Sequence, residues 1–156
     1  MTHQTDSVDP LRLAFVCVEN AGRSQIATAV AETQLRIQDR TDVEIRSGGT
    51  DPAGEIYPTV VDVMREKGYD LSTRTPTRIS RETLGECDVV ALMGCSLLVD
   101  DLPAGVVVRD WGFIDPADAD VESVWAISTE IEQRVIELLA DLPTEAERRT
   151  NTHQLQ

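Results

Sequence analysis

The segment Cys17-Val18-Glu19-Asn20-Ala21-Gly22-Arg23-Ser24 sets a thiol at one end of a short run and a guanidinium and a hydroxyl at the other. If the run turns from a strand into a helix, its successive backbone N–H groups point inward and the helix end adds partial positive charge. Val18 to Arg23 then cradle a tetrahedral oxyanion. Gly22 lets the backbone take an otherwise strained turn, and Asn20 is a residue type that tolerates a left-handed conformation and ties a loop through its side chain. Arg23 can close the ring with a two-pronged contact to the anion's oxygens. The same donors favour a thiolate over a thiol at their centre, with Ser24 placed to hydrogen-bond it, so Cys17 is a candidate nucleophile. The competing reading is a small cysteine buried at a strand end, a common place for the residue. The C-x5-R pattern alone does not separate the two; a strand before it, a helix after it and Ser24 beside Arg23 favour chemistry. A nucleotide-binding loop is excluded, since no G-x-x-x-x-G-K-[ST] occurs and the single lysine, Lys67, lies elsewhere.

The elements that must position this segment can be read from periodicity. Leu11–Val18 is a continuous apolar run of strand length, suited to a central strand buried on both faces, with Cys17 at its C-terminal end. From Ser24 onward Ile26, Val30, Thr33 and Ile37 form one helical stripe that continues to about Asp39. Val43–Ser47 alternates as a second strand before a turn cluster at Gly48–Pro52. Pro58 opens a short helix carrying Val60, Val61 and Met64, closed by Gly68. Asp70–Ser80 reads as loop, followed by a helical turn around Arg81–Gly85. Cys87–Met93 and Gly105–Arg109 read as the third and fourth strands. Val124, Ile127, Ile131, Val135, Leu138 and Leu142 mark a last helix that Pro143 ends. Alternating strands and helices predict a single-domain, three-layer α/β/α fold over residues 11–143 with a four-stranded parallel sheet, between polar tails at 1–10 and 146–156. Ligands of such sheets bind at the C-terminal strand ends, where Cys17 falls.

Composition narrows the partners. A chain of 156 residues, 41% of them hydrophobic, can bury one sizeable core. No apolar run approaches the roughly 20 residues of a membrane span, and the N-terminus lacks the regions of a secretory signal, so a cytoplasmic protein without membrane contact is expected. Three cysteines suggest thiol chemistry; the only histidines, His3 and His153, lie in the tails, so no metal site is expected. A net charge of -14, from 28 acidic against 14 basic residues, repels nucleic acid and points to a small ligand. Acid excess with a single lysine is also the composition of a protein kept soluble in concentrated salt, as in a halophile.

The chain resembles the low-molecular-weight protein tyrosine phosphatase superfamily and, within it, the thiol-dependent arsenate reductases of the mycothiol-using kind. The resemblance runs from about Leu11 to Leu142 and rests on Cys17–Ala27, Ser47–Pro52, Met93-Gly94-Cys95 and Trp111–Ala117, in that order. It implies the sheet order 2-1-3-4, Cys17 attacking the central atom, Arg23 and the loop amides of Val18, Glu19, Asn20, Ala21, Gly22 and Ser24 holding the oxyanion, Asp115 protonating the leaving oxygen, and Ser47 supporting the loop through Asn20. The acid assignment suits the chemistry, because the departing oxygen needs a proton and no histidine is at hand; read without the resemblance, Asp115-Pro116 is equally a turn opener.

Reductase and phosphatase share the first step, thiolate attack on a tetrahedral oxyanion. A phosphatase then needs water, whereas a reductase needs a second thiol to attack the adduct. Cys95 follows the third strand, which the expected order sets beside the first, and is the candidate second thiol; Cys87, at the other end of that strand, reads as a buried cysteine. Leu102 stands where reductases with an internal three-cysteine relay carry the next cysteine. Reduction therefore calls for an external thiol, either a small thiol such as mycothiol or a redoxin that opens a Cys17–Cys95 disulfide, and no bound cofactor. Ala117-Asp118-Ala119-Asp120 follows Asp115-Pro116 where phosphatases of the family carry aromatic residues that stack on phosphotyrosine. These features favour arsenate reductase over tyrosine phosphatase, with a non-catalytic oxyanion sensor as a third reading, in a monomer or weak dimer.

Overall fold

In the computed structural model the protein is described over residues 9–94 and 102–148. The elements are β1 (Leu11–Cys17), α1 (Arg23–Ile37), β2 (Val43–Gly49), α2 (Pro58–Glu66), α3 (Arg81–Gly85), β3 (Val89–Leu92), β4 (Val107–Asp110) and α4 (Val121–Asp141). The four strands are all parallel and lie in the order β2-β1-β3-β4, as the resemblance implied.

β1 is central because both of its faces can be buried. Leu13, Phe15 and Cys17 point to one side and pack with α1, α2 and α4, through Ile26, Val30, Val60, Met64, Ile131 and Val135. Ala14 and Val16 point to the other side and meet Leu84, Cys87, Val90 and Leu92. Helices thus cover both faces, as a parallel sheet requires. The C-terminal ends of β1 and β3 lie side by side, with Val16 level with Leu92. Trp111 follows β4, donates its backbone N–H to Leu92 O at 2.7 Å and packs on Phe15, which anchors the next segment at the same edge.

Two expectations are corrected. The stripe on α1 does not run through Thr33 to Ile37: Ile37 is 70% exposed, and Leu35 carries the inward contact in the last turns. The first half of α1, Arg23 to Ala31, is buried all round rather than on one stripe. It threads between the sheet, α4 and the loops, so a one-sided pattern does not describe it. Gly48 and Gly49, expected in a turn, are the last residues of β2 and pair with Val16 and Cys17. They belong in the strand because there is no room for a side chain. A Cβ on Gly49 would sit 2.5 Å from Val18 O and 3.0 Å from Asn20 N, and one on Gly48 would strike Ile79. Smaller shifts affect the other bounds: β3 begins two residues after Cys87, β4 ends at Asp110, and α4 starts at Val121 with Asp120 accepting from Ser123 N as its cap.

The far end of the sheet is held by Arg40. Its Nε and Nη2 donate to the two carboxylate oxygens of Asp42 at 2.9 and 2.8 Å, and the same guanidinium reaches Leu139 O and Pro143 O at the end of α4. The Arg40 guanidinium holds the Asp42 carboxyl below its ordinary value of 3.8. A carboxyl held lower in the folded than in the unfolded chain stabilises the fold fully above the ordinary carboxylate range and loses that contribution as pH falls through the folded value. Asp42→Ala is therefore expected to lower the melting temperature by about 2–4 °C at neutral pH. The gap to the parent should close below about pH 4, as thermal melts across an acid series would register.

Candidate active site

The site forms where β1 turns into α1. Cys17 ends β1, is 2% exposed, and its backbone C=O accepts from Thr50 N at 3.1 Å. Its Sγ lies 2.9 Å from Ser24 Oγ and accepts from the backbone N–H of Asn20 at 3.2 Å. The N-terminus of α1 follows Gly22, which makes no side-chain cap. The first-turn N–H groups have no partner inside the helix. The Asn20 N–H thus reaches the sulfur from a loop that leads into the positive end of the α1 dipole.

Asn20 organises this loop. It is fully buried in the left-handed conformation, φ 52°. Its Oδ1 accepts from the backbone N–H of Thr77 at 3.0 Å, and since a backbone N–H can only donate, the amide orientation is settled by chemistry. Nδ2 must then face the two hydroxyls, and it donates to Ser24 Oγ at 2.6 Å and Ser47 Oγ at 2.9 Å. Ser24 Oγ accepts from Asn20 and lies within hydrogen-bond distance of Cys17 Sγ, so it can donate to the sulfur when that is a thiolate. Gln25 Nε2 closes the loop from below with bonds to Asn20 O and Oδ1 at 3.0 and 2.9 Å. Ser24, Ser47 and Asn20, all expected at the site, are brought together with Cys17.

Arg23 is 5% exposed. Its Nη1 donates to Phe113 O at 3.1 Å, its Nη2 lies 3.6 Å from Asp115 Oδ2, and its Nε is buried without a partner. Burying a cation with one N–H unsatisfied costs free energy that an anion in the cradle would recover. Asp115 sits on the segment after β4, its side chain 41% exposed, and is steadied by an Asx turn to Ala117 N at 3.1 Å. The next residue docks this segment onto the loop: Pro116 Cγ lies 2.7 Å from where a Cβ on Gly22 would stand, so only glycine admits it. Cys17, Arg23 and Asp115 therefore share one edge of the sheet. This geometry sets a thiol sulfur with a backbone N–H donor, a buried guanidinium and a carboxyl at one strand edge, the parts that attack on a tetrahedral oxyanion and protonation of a leaving oxygen call for.

Cys87 lies at the other end of β3, buried, and burial pushes its thiol up from the ordinary value. Cys95 lies outside the described residues. Leu102 packs against the apolar cluster under β3. Several supporting residues escape sequence reading. Thr77 comes from a stretch read only as loop, and Tyr57 reaches the site through the fold alone. Gly94 has φ +79°, and a Cβ there would run into the Arg23 guanidinium.

The chain matches the family described as low molecular weight phosphotyrosine protein phosphatase over residues 12–148. It is 50% identical over 128 residues to an arsenate reductase, so named provisionally, of Halobacterium salinarum, covering 81% of this chain and 89% of that one. It is 28% identical over 133 residues to the glutaredoxin arsenate reductase of Synechocystis, covering 84% and 98%. A solved structure of an arsenate reductase in its phosphate-binding state superposes with a TM-score of 0.74 at 26% identity, over 85% of this chain and 99% of that one.

Two substitutions test the architecture by calorimetric titration with inorganic phosphate. Gly94→Ala should weaken phosphate binding by about tenfold or more by displacing Arg23. Asn20→Ala should do the same by releasing the loop, and should also lower the melting temperature, since it leaves the Thr77 N–H without its acceptor.

Proposed function

The chain belongs to the low molecular weight phosphotyrosine protein phosphatase family, and from that membership and its arsenate reductase relatives we propose that it reduces arsenate to arsenite through an adduct on Cys17. The observation that carries the reading is the buried Arg23, with a free Nε, set between the Cys17 loop and Asp115.

The sulfur of Cys17, as thiolate, attacks arsenic(V) in the cradle. An As–O bond breaks, and the oxygen leaves as water with a proton from Asp115. Arg23 and the loop amides hold the remaining oxygens, and the incoming anion draws Arg23 away from Asp115. A second thiol then attacks Cys17 Sγ. The S–As bond breaks, its electron pair stays on arsenic, and arsenite leaves as arsenic(III), while the two sulfurs are joined as a disulfide. An external thiol reduces that disulfide, so two electrons in all pass from thiols to arsenic. We assign Cys95 as the second thiol, with the final reductant a small thiol or a redoxin; the glutaredoxin named for the Synechocystis relative supports a redoxin. The absence of aromatic residues in 117–120 supports a small inorganic substrate over phosphotyrosine.

The test is turnover of arsenate in concentrated salt with small thiols, glutaredoxin and thioredoxin offered in turn, beside hydrolysis of an aryl phosphate. Cys17→Ser should abolish both reactions. Cys95→Ser should abolish arsenate turnover while leaving aryl-phosphate hydrolysis. Asp115→Asn should lower arsenate turnover by about a hundredfold at saturating thiol. Aryl-phosphate hydrolysis with no arsenate turnover under any donor would make the protein a phosphatase.

A further inference from the structure

One carboxylate at the site has no part in the mechanism above. Glu19 is two residues from the nucleophile, in a loop whose other features attract anions. Its backbone is pinned, with Glu19 O accepting from Ala53 N at 3.0 Å. Its side chain is half-buried, and Oε2 accepts from the Tyr57 hydroxyl. No cation pairs with it among the described residues, although Arg23 balances the other acid, Asp115.

Tyr57 holds Glu19 in place. Its backbone N–H donates to Ala21 O at 3.0 Å, and its ring edge lies 3.1 Å from where a Cβ on Gly22 would stand, beside Pro116 on the same glycine. Tyr57 is thus wedged between the loop and the segment that carries Asp115. Burial, the bond to Glu19 and the nearby charges of Asp115, Glu19 and Cys17 all raise its hydroxyl well above the ordinary value, so the phenol keeps its proton and donates it to Glu19. Glu19 Oε2 is thus held against the Tyr57 hydroxyl, which lies near enough to Cys17 and Asp115 to feel their charges.

A fixed acceptor beside an anion site repels bare oxygens and tolerates a hydroxyl. Arsenate and inorganic phosphate carry a hydroxyl near neutral pH; the dianion of a monoester carries none, and it brings a bulky group instead. We propose that Glu19, held by Tyr57, is a specificity-determining residue that selects free inorganic oxyanions over their monoesters. This deepens the reductase reading and rests on it for the identity of the natural oxyanion.

The test is calorimetric titration of the full-length protein with inorganic phosphate and with phenylphosphonate, in a mildly alkaline buffer where both are dianions and only phosphate keeps a hydroxyl. The parent should prefer phosphate. Glu19→Gln, nearly isosteric, should cut that preference by about tenfold, mainly by improving phenylphosphonate binding. Tyr57→Phe, which frees the carboxylate without removing it, should shift the preference the same way by a smaller factor. Thermal melts verify that both variants fold. An unchanged ratio of the two dissociation constants in Glu19→Gln, or a parent without preference, overturns the proposal. Because neither ligand is turned over as arsenate, the outcome is independent of the reductase assay. A shifted ratio without arsenate turnover would sink the reductase reading and keep Glu19 as the selector, and turnover with an unmoved ratio would do the reverse.

Discussion

The structure depends on one side-chain amide. Asn20 is buried in a left-handed conformation that an ordinary residue adopts only at some cost. It keeps that conformation because its two polar ends are held by chain segments far apart in sequence. Thr77 and Gln25 donate to its oxygen, while its nitrogen donates to Ser24 and Ser47. Those bonds join the end of β2, the start of α1 and the stretch before α3 around the loop. The consequence for chemistry is positional: with Asn20 oriented by the Thr77 N–H, Ser24 Oγ is held beside Cys17 Sγ.

A second constraint is space. The loop packs so closely on its surroundings that glycine is required at several contacts. Gly49 clears Val18 and Asn20, Gly22 clears Pro116 and Tyr57, and Gly94 clears the Arg23 guanidinium. Each of these approaches brings backbone or a functional side chain nearer than a Cβ would allow. The cradle is thus shaped from outside by the acid segment and by β3 as much as by its own turn. Rigidity of this kind matters for oxyanion stabilisation, which depends on donors held in place before the charge develops.

The electrostatics run against the protein as a whole. A chain with 28 acidic and 14 basic residues sets a buried guanidinium, Arg23, and the start of a helix beside one thiol, an arrangement suited to an anion. Short-range donors can win there because the contacts are made at hydrogen-bond distance in a poorly screened interior, while the surface charges act from farther away and through solvent. Two carboxyl groups, Glu19 and Asp115, stand near the same loop, each with a fixed partner, Tyr57 and Arg23.

By itself the sequence determined the parallel α/β architecture, the central strand, and the thiol, arginine and serine of the loop, because continuous apolar runs, helical spacing and a strand-loop-helix order are local signals. Asp115 and Ser47 were legible only through resemblance, since a lone Asp-Pro or a serine at a strand end has many ordinary uses. Tertiary structure alone decided that Gly48 and Gly49 continue β2, that α1 is buried all round at its start, and that Thr77, Gln25, Tyr57, Gly94 and Pro116 hold the site. Such roles come from close approach between segments tens of residues apart. No periodicity along the chain records which residues will meet once the sheet is assembled.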